Sequence, residues 1–302
     1  MIELHCIAGH DDLAVAEILQ ELLAKSIKEA QADLVATARA LGLECQSRAS
    51  VTDSNAHNTQ GLRMGIKVRV RVGVEWINNF HSDACQQADL SYCDNQAEGF
   101  FNTMGDNGHT KVFDWGNDNA WETDFRHPDF GGDSLNWSDD VHFCLVNDHG
   151  GNWDNTANFA FSKAHDNCMV STTQMRLGRK NLKWIAALGC DAVLNTNADH
   201  IVAVWGGPMQ GVHIVCGFIG TAADSWWSAD LGEDFADDIC DGDSIAGSWV
   251  SRAYSWWTGD DSIAIAAGET QDDAVRRRDH ETLDWRDNNV GATRWLAWKY
   301  RT

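Results

Sequence analysis

No uncharged apolar run of about 18 residues occurs in the 302-residue chain, so no membrane span is expected. The start, Met1-Ile2-Glu3-Leu4-His5, shows no basic segment followed by an apolar one, so no signal peptide is expected. Basic side chains are scarce, 23 against 45 acidic ones, for a net charge of −22. That balance argues against a nucleic-acid backbone or an anionic membrane as partner. It favours solubility, basic peptide substrates, bound cations or a salty environment, without separating them. The nine cysteines form no tight framework, and paired C-x2-C knuckles are absent. A reducing cytoplasm is the simplest compartment for such a chain. Proline is down to two residues while tryptophan reaches 15, enough to supply core volume, interface anchors or sugar-stacking surfaces. No internal repeat is present.

What the chain does have is a 43% hydrophobic composition and a length of one large or two ordinary domains. Apolar residues at three- and four-residue steps predict a helix over residues 11–43, about 45 Å long if unbroken. A helix of that length reads as a broken pair or as an arm packing on a partner chain. Residues 44–65 are polar and read as a linker, which places a domain boundary between 65 and 66. Alternation from Ile66 to Val72 predicts a half-exposed strand running into a core strand that ends near His81. A helix is expected near residues 95–104 and a short strand over 111–115. The Asn/Asp/Trp-rich segment 116–137 is too polar for core and too aromatic for a plain linker; long ordered loops of this kind are often functional. Strands are expected at 141–148, 182–189, 211–219, 262–267 and 294–300, with helices at 230–240 and 244–253. Strands alternating with helices imply a mostly parallel sheet covered on both faces.

Two of these runs end in reactive groups. Val141-His142-Phe143-Cys144-Leu145-Val146-Asn147-Asp148 closes on His149-Gly150-Gly151, and Leu182-Lys183-Trp184-Ile185-Ala186-Ala187-Leu188-Gly189 closes on Cys190-Asp191. Ligands of an open parallel sheet bind at the carboxyl ends of its strands. As neighbouring strands the two runs would set His149 and Cys190 on one rim, ~5 Å apart. A thiolate attacks a carbonyl carbon once a base or positive neighbour helps it form, and an imidazole can then protonate the leaving amine. The Gly150 and Cys190 amides would cradle the tetrahedral oxyanion. These are the parts of an acyl-transfer site, weighed against a chance His-Gly pair and a buried structural thiol.

Strand-His-Gly followed some forty residues on by strand-small-Cys resembles the caspase-fold cysteine peptidases: caspases, metacaspases, gingipains, legumains, separases and CHAT peptidases. The run Gly211-Val212-His213-Ile214-Val215-Cys216-Gly217-Phe218, Asp224, a helix and Gly242-Asp243-Ser244 is similar to the CHAT-type arrangement. Segments 73–81, 89–102, 115–125 and 149–151 further resemble a prokaryotic family of this fold. The resemblance covers about residues 66–270. It implies an α/β, three-layer caspase-like fold with a mostly parallel sheet and helices on both faces; the N-terminal helical extension and linker expected over 1–65 lie outside the resemblance. It implies His149 as the catalytic histidine, Cys190 as nucleophile and Gly150 as oxyanion-hole residue. Asp148 departs from the small residue many relatives carry there. A carboxylate at that place would orient the ring, raise its pKa or mark a degenerate site, and Asp191 would disfavour a thiolate unless it points away. Relatives that cut after Arg or Lys place a carboxylate in the S1 pocket, and Asp224 and Glu75 are the candidates here.

Other constellations are thinner. His81, Cys85 and Cys93 have a spacing zinc could use, without an evident fourth ligand. Asp237, Asp238, Asp241 and Asp243 resemble a calcium-like cluster, although a capped helix end explains the last two more simply. Trp115, Trp121, Trp137 and Trp153 would form a sugar-binding strip or pack a long loop. The expected protein is a cysteine endopeptidase acting on a peptide or protein substrate without an organic cofactor. Its rivals are a catalytically silent caspase-fold protein, homo-oligomeric through the N-terminal helix or the Trp-rich loops, and a carbohydrate- or calcium-binding surface protein.

Overall fold

The computed structural model describes residues 2–8, 44–49, 66–80, 87–162, 167–285 and 287–302. The chain divides into two compact units, Met1–Arg69 and Val70–Thr302. The described part of the first unit is a sheet of β1 (Ile2–Ala8), β2 (Glu44–Ala49) and β3 (Ile66–Val68), in the order β2-β1-β3. Strand β2 pairs antiparallel with β1, and β3 pairs parallel with it. The polarity of residues 44–65 reads as a linker, yet Glu44–Ala49 is a strand, because backbone pairing satisfies main-chain groups whatever the side chains. The expected helix over 11–43 lies outside the described residues. The single run expected from Ile66 onward is two strands, β3 in the first unit and β4 (Arg71–Trp76) in the second.

In the second unit β4 is followed by α1 (Cys93–Asp106), β5 (Thr110–Gly116), β6 (Phe143–Asn147), β7 (His149–Trp153), β8 (Thr156–Ala160), β9 (Met169–Ser171) and β10 (Trp184–Ala187). Then come α2 (Ala198–Trp205), β11 (Ile214–Ile219), α3 (Leu231–Cys240), α4 (Ile245–Arg252), β12 (Asp261–Gly268), α5 (Gln271–His280) and β13 (Trp295–Arg301). Seven strands form one sheet in the order β13-β12-β11-β10-β6-β4-β5. The strands from β5 to β11 run parallel, whereas β12 and β13 are antiparallel to their neighbours. The sheet is therefore mixed rather than simply parallel.

Successive strand residues face opposite sides of a sheet, and here both sides are apolar. Phe143, Leu145, Trp184, Ala186, Ile214 and Cys216 enter one core, while Cys144, Val146, Ile185, Ala187 and Val215 enter the other. This explains why the runs read as continuous apolar stretches instead of alternating ones. On the first side α1, α3 and α4 bring Phe100, Phe235, Ile239 and Trp249 against the sheet. Helix α3 crosses α1 at Gly232, where a Cβ would lie 1.8 Å from the Gln96 carbonyl oxygen. On the second side α2 contributes Ile201, Val204 and Trp205, beside the small antiparallel sheet β7-β8-β9.

The polar segment 116–137 packs on that second side as a series of 3-10 turns and is not purely surface. Ala120 and Phe125 are core residues, Glu122 pairs with Arg126 at 3.3 Å, and both partners are buried. Its polar character is accommodated because buried charges are met by partners: the Asp139 carboxylate just beyond it accepts the Gly178 and Arg179 N–H groups, each at 2.8 Å. Among the described residues no helix is long and apolar enough to cross a membrane. Cys168 is disulfide-bonded, a state that differs from the thiols a reducing cytoplasm maintains.

Candidate active site

Strands β6 and β10 end level with each other. Ala187 pairs with Val146, and the Leu188 N–H donates to the Val146 carbonyl at 2.8 Å. Beyond that point the two chains part. After Asp148 the first enters β7, which leaves the central sheet as a hairpin with β8. Asp154 and Asn155 close it with φ of 54° and 55°, the left-handed pair that a two-residue turn matching strand twist requires. After Gly189 the second makes a tight bend in which Asp191 adopts φ of 55° and donates its N–H to the Gly220 carbonyl at 2.6 Å. His149 is the first residue of the hairpin and Cys190 the apex of the bend.

The two backbones touch. A Cβ at Gly150 would stand 2.0 Å from the Cys190 carbonyl oxygen and 2.7 Å from its nitrogen, and one at Gly189 would stand 3.0 Å from the Gly150 nitrogen. Only glycine permits that approach. The amides of Gly150 and Cys190 therefore lie side by side. Among the described residues no backbone acceptor takes the Cys190 N–H.

The imidazole is held from behind. His149 Nε2 donates to the Ala88 carbonyl at 2.8 Å, and the ring leans on Phe80 with centroids 5.0 Å apart. A carbonyl only accepts, so in the neutral ring Nδ1 carries the lone pair. The loop supplying Ala88 is pinned at both ends: Asp89 accepts the Phe80 N–H, and Asn78 Oδ1 accepts from Cys93 and Asp94 at the start of α1. The Cys190 sulfur is half-buried and accepts the Ala222 N–H at 3.3 Å. Burial raises its pKa above the usual thiol value, the Ala222 amide opposes that, and Asp191, Asp148 and Asp260 add to it. Among the described residues no hydrogen bond joins the thiol to the imidazole: the ring is engaged by the Ala88 carbonyl and the sulfur by Ala222.

Asp148 does not orient the ring. Its carboxyl turns beneath the bend, where both oxygens are buried with no hydrogen-bond partner among the described residues, and a Cβ at Gly189 would meet Oδ1 at 3.0 Å. Burial holds its pKa well above the carboxylate range. Asp191 and Asp148 both lie close enough to push the thiol pKa up.

Of the carboxylates expected in a substrate pocket, neither is free on the rim. Glu75 has no exposure and lies on the second face of the sheet, where burial and the Asp124 and Asp148 carboxyls drive its pKa up. Asp124 itself is raised to about 7, chiefly by burial. Asp224 caps the approach to α1: its two oxygens accept the Ser91 and Tyr92 N–H groups at 2.6 and 2.8 Å. A separate cavity of about 300 Å³ is lined by Leu188 and Ala222 and walled by Asp230, Asp234, Asp260 and Arg252; Cys190 itself does not line it, and Ala222, whose N–H reaches the sulfur, is the link between them.

A family described as "Domain of unknown function (DUF6345)" matches residues 74–292. The chain belongs to this family. The DUF6345 region begins inside β4, ends ahead of β13 and includes His149, Gly150, Cys190, Asp224 and Glu75. No curated protein matches the chain. Among solved structures the Drosophila initiator caspase Dronc matches with 10% identity, covering 72% of this chain and 92% of that one at a TM-score of 0.37. A superposition that loose says nothing about activity.

His81 and Cys85 lie outside the described residues, and Cys93 is buried against α1's own core with its pKa driven up by burial. Among the described residues no group of three His, Cys, Asp or Glu side chains is placed to hold a metal ion. Asp238 is taken by Arg252 in a two-pronged pair at 2.7 Å. Trp115 and Trp137 pack edge to face on each other, 5.7 Å apart, so the expected strip of Trp rings is not a row. Sequence reasoning missed the Ala88 carbonyl, the Ala222 amide and Phe80. The first two are main-chain groups with no residue signature.

Proposed function

We propose that the chain is a cysteine endopeptidase of caspase-like fold. Cys190 is the nucleophile, His149 the general acid/base and the Gly150 and Cys190 amides the oxyanion hole. The observation that carries this reading is the contact of the two strand ends at Gly150, which sets an imidazole, a half-exposed thiol and two adjacent amides on one rim. In the reaction His149 Nδ1 takes the thiol proton as sulfur adds to the scissile carbonyl. The oxyanion gathers the two N–H groups. The C–N bond then breaks as the imidazolium returns the proton to the leaving amine, and water hydrolyses the thioester. No organic cofactor is needed. The acidic surface, and an acid-walled cavity that reaches Ala222 beside the thiol, favour cleavage after basic residues.

The rival is a catalytically silent member of the fold that works by self-assembly or partner binding. It is favoured by the raised thiol pKa and by the Ala222 carbonyl to which the thiol donates at 3.7 Å. Labelling with electrophilic peptides ending in Arg, Lys or Asp decides between them. The enzyme reading expects adduct at Cys190 in the wild type, none in Cys190→Ala, and at least a hundredfold slower labelling in His149→Ala. Equal labelling of all three proteins removes it.

A further inference from the structure

Two short loops flanking the cavity repeat one pattern. Ser225-Trp226-Trp227-Ser228 follows β11, and Ser255-Trp256-Trp257-Thr258 precedes β12. Each closes on its own hydroxyl residues. Ser225 N–H donates to Ser228 Oγ at 3.3 Å, and Thr258 N–H donates to Ser255 Oγ at 3.3 Å. The turns leave their indoles outside: Trp226 and Trp227 are each 60% exposed, Trp256 71% and Trp257 68%. Within each pair the rings lie against each other. The Ala223 N–H donates to Asp260 Oδ1 at 2.9 Å and ties the loops together. Trp227 and Tyr254 join Asp230, Asp234 and Asp260 around the cavity.

The chain buries Trp184, Trp205 and Trp249 almost completely, so four solvated indoles on adjoining loops are not a packing remainder. Exposed aromatic surface of this extent marks a place of contact. Its surroundings say with what. Asp230, Glu233, Asp234 and Asp237 are exposed on and ahead of α3, and Arg252, the one cation on the cavity wall, is held by Asp238 and Asp234. Indole faces attract cations more strongly than other aromatic rings, and guanidinium groups stack on them. An anionic membrane is repelled by the same carboxylates.

We propose that the two Trp pairs and the acid-walled cavity form a docking surface for a polypeptide segment rich in Arg or Lys. Its cationic groups lie on Trp226, Trp227, Trp256 and Trp257, and one enters the cavity toward Asp230. As the substrate class of the neighbouring thiol this rests on the peptidase reading; as a binding surface it does not.

Fluorescence anisotropy tests it with full-length Cys190→Ala protein and fluorescein-labelled Arg/Ser, Asp/Ser and Gly/Ser 12-residue peptides. The Arg/Ser peptide alone binds, at least tenfold more weakly at 500 mM than at 50 mM NaCl. Trp226→Ser/Trp227→Ser and Trp256→Ser/Trp257→Ser each weaken it at least tenfold, and the corresponding Phe doubles retain most of the affinity. The indoles are exposed, so unchanged melting of the Ser doubles is expected and reads out folding. Equal binding of the three peptides, or unchanged affinity in the Ser doubles, overturns the proposal. So does indole-dependent uptake by phosphatidylcholine vesicles, or indole-dependent self-association, without peptide binding. Cys190 labelling of the wild type, run in parallel, keeps the two readings apart: peptide binding without labelling removes the peptidase, and labelling without peptide binding removes only the docking surface.

Discussion

At Gly150 a single methyl group separates a joined rim from a split one. Gly150→Ala would drive a Cβ into the Cys190 carbonyl oxygen, 2.0 Å away, so the hairpin must shift off the bend. Probe labelling at Cys190 is expected to fall at least a hundredfold, while the melting temperature drops by only a few degrees because the central sheet is not involved. Asp124 carries a pH prediction. Its folded pKa of about 7 lies above the unfolded carboxylate value, so the folded state binds the extra proton between about pH 4 and 7. Stability from this group is present below that window and is lost as pH rises through 7. Glu75 and Asp148, also raised, act in the same direction. Urea unfolding of Asp124→Asn is expected to lose part of the wild type's decline between pH 5 and pH 8, a gain of a few kcal/mol at the upper end. At this scale the placement of His149, Gly150 and Cys190 at the ends of neighbouring strands was legible from two apolar runs ending in His-Gly and Gly-Cys, whereas their roles remain part of the proposal. The Ala88 carbonyl that fixes the ring tautomer was not, because every residue carries the same carbonyl. Asp148 was legible as a departure, but only the fold shows that it is buried beneath the bend, with its pKa raised by that burial.

Elements were read best where a hydrophobic period ran long enough to choose a shape. Helices at 95–104, 230–240 and 244–253 correspond to α1, α3 and α4 within a few residues. The hairpin β7–β8 was not expected, since His149-Gly150-Gly151-Asn152-Trp153 has neither alternation nor β-branched residues, and its turn is recognisable only by the φ of Asp154 and Asn155. The paired Ser-Trp-Trp loops escaped attention for a related reason: a Trp in a short loop looks alike whether it packs inward or stands in water. Asp224, expected to meet substrate, makes an element-scale prediction of another kind. It accepts the Ser91 and Tyr92 N–H groups at the entry to α1. Asp224→Ala should cost about 1 kcal/mol in urea unfolding, as loss of a helix-capping acceptor does. A similar loss from Asp224→Asn would point to charge instead of acceptor geometry.

Across the whole molecule a net charge of −22 works against compactness. Raising NaCl from 50 to 500 mM shortens the reach of that repulsion from more than ~10 Å to less than ~8 Å. The melting temperature is therefore expected to climb with salt in differential scanning calorimetry, and a flat or falling response would show that local ion pairs outweigh the net field. An α/β sheet with two covered faces was legible from runs apolar on every residue. The direction of β12 and β13 was not, because a buried stretch such as Ser262-Ile263-Ala264-Ile265-Ala266-Ala267 reads the same whichever way it threads the sheet.

The imidazole and the sulfur hang from different ladders. Cys190 follows a strand locked between two parallel neighbours, whereas His149 opens a three-stranded flap whose own rungs run only to β8 and β9. A load that tilts the flap alters the reach of the ring toward the thiol yet breaks no rung of the larger ladder. The proposed chemistry on this rim therefore depends on how β8 is seated, with Ala157, Phe159 and Ala160 buried in the second core.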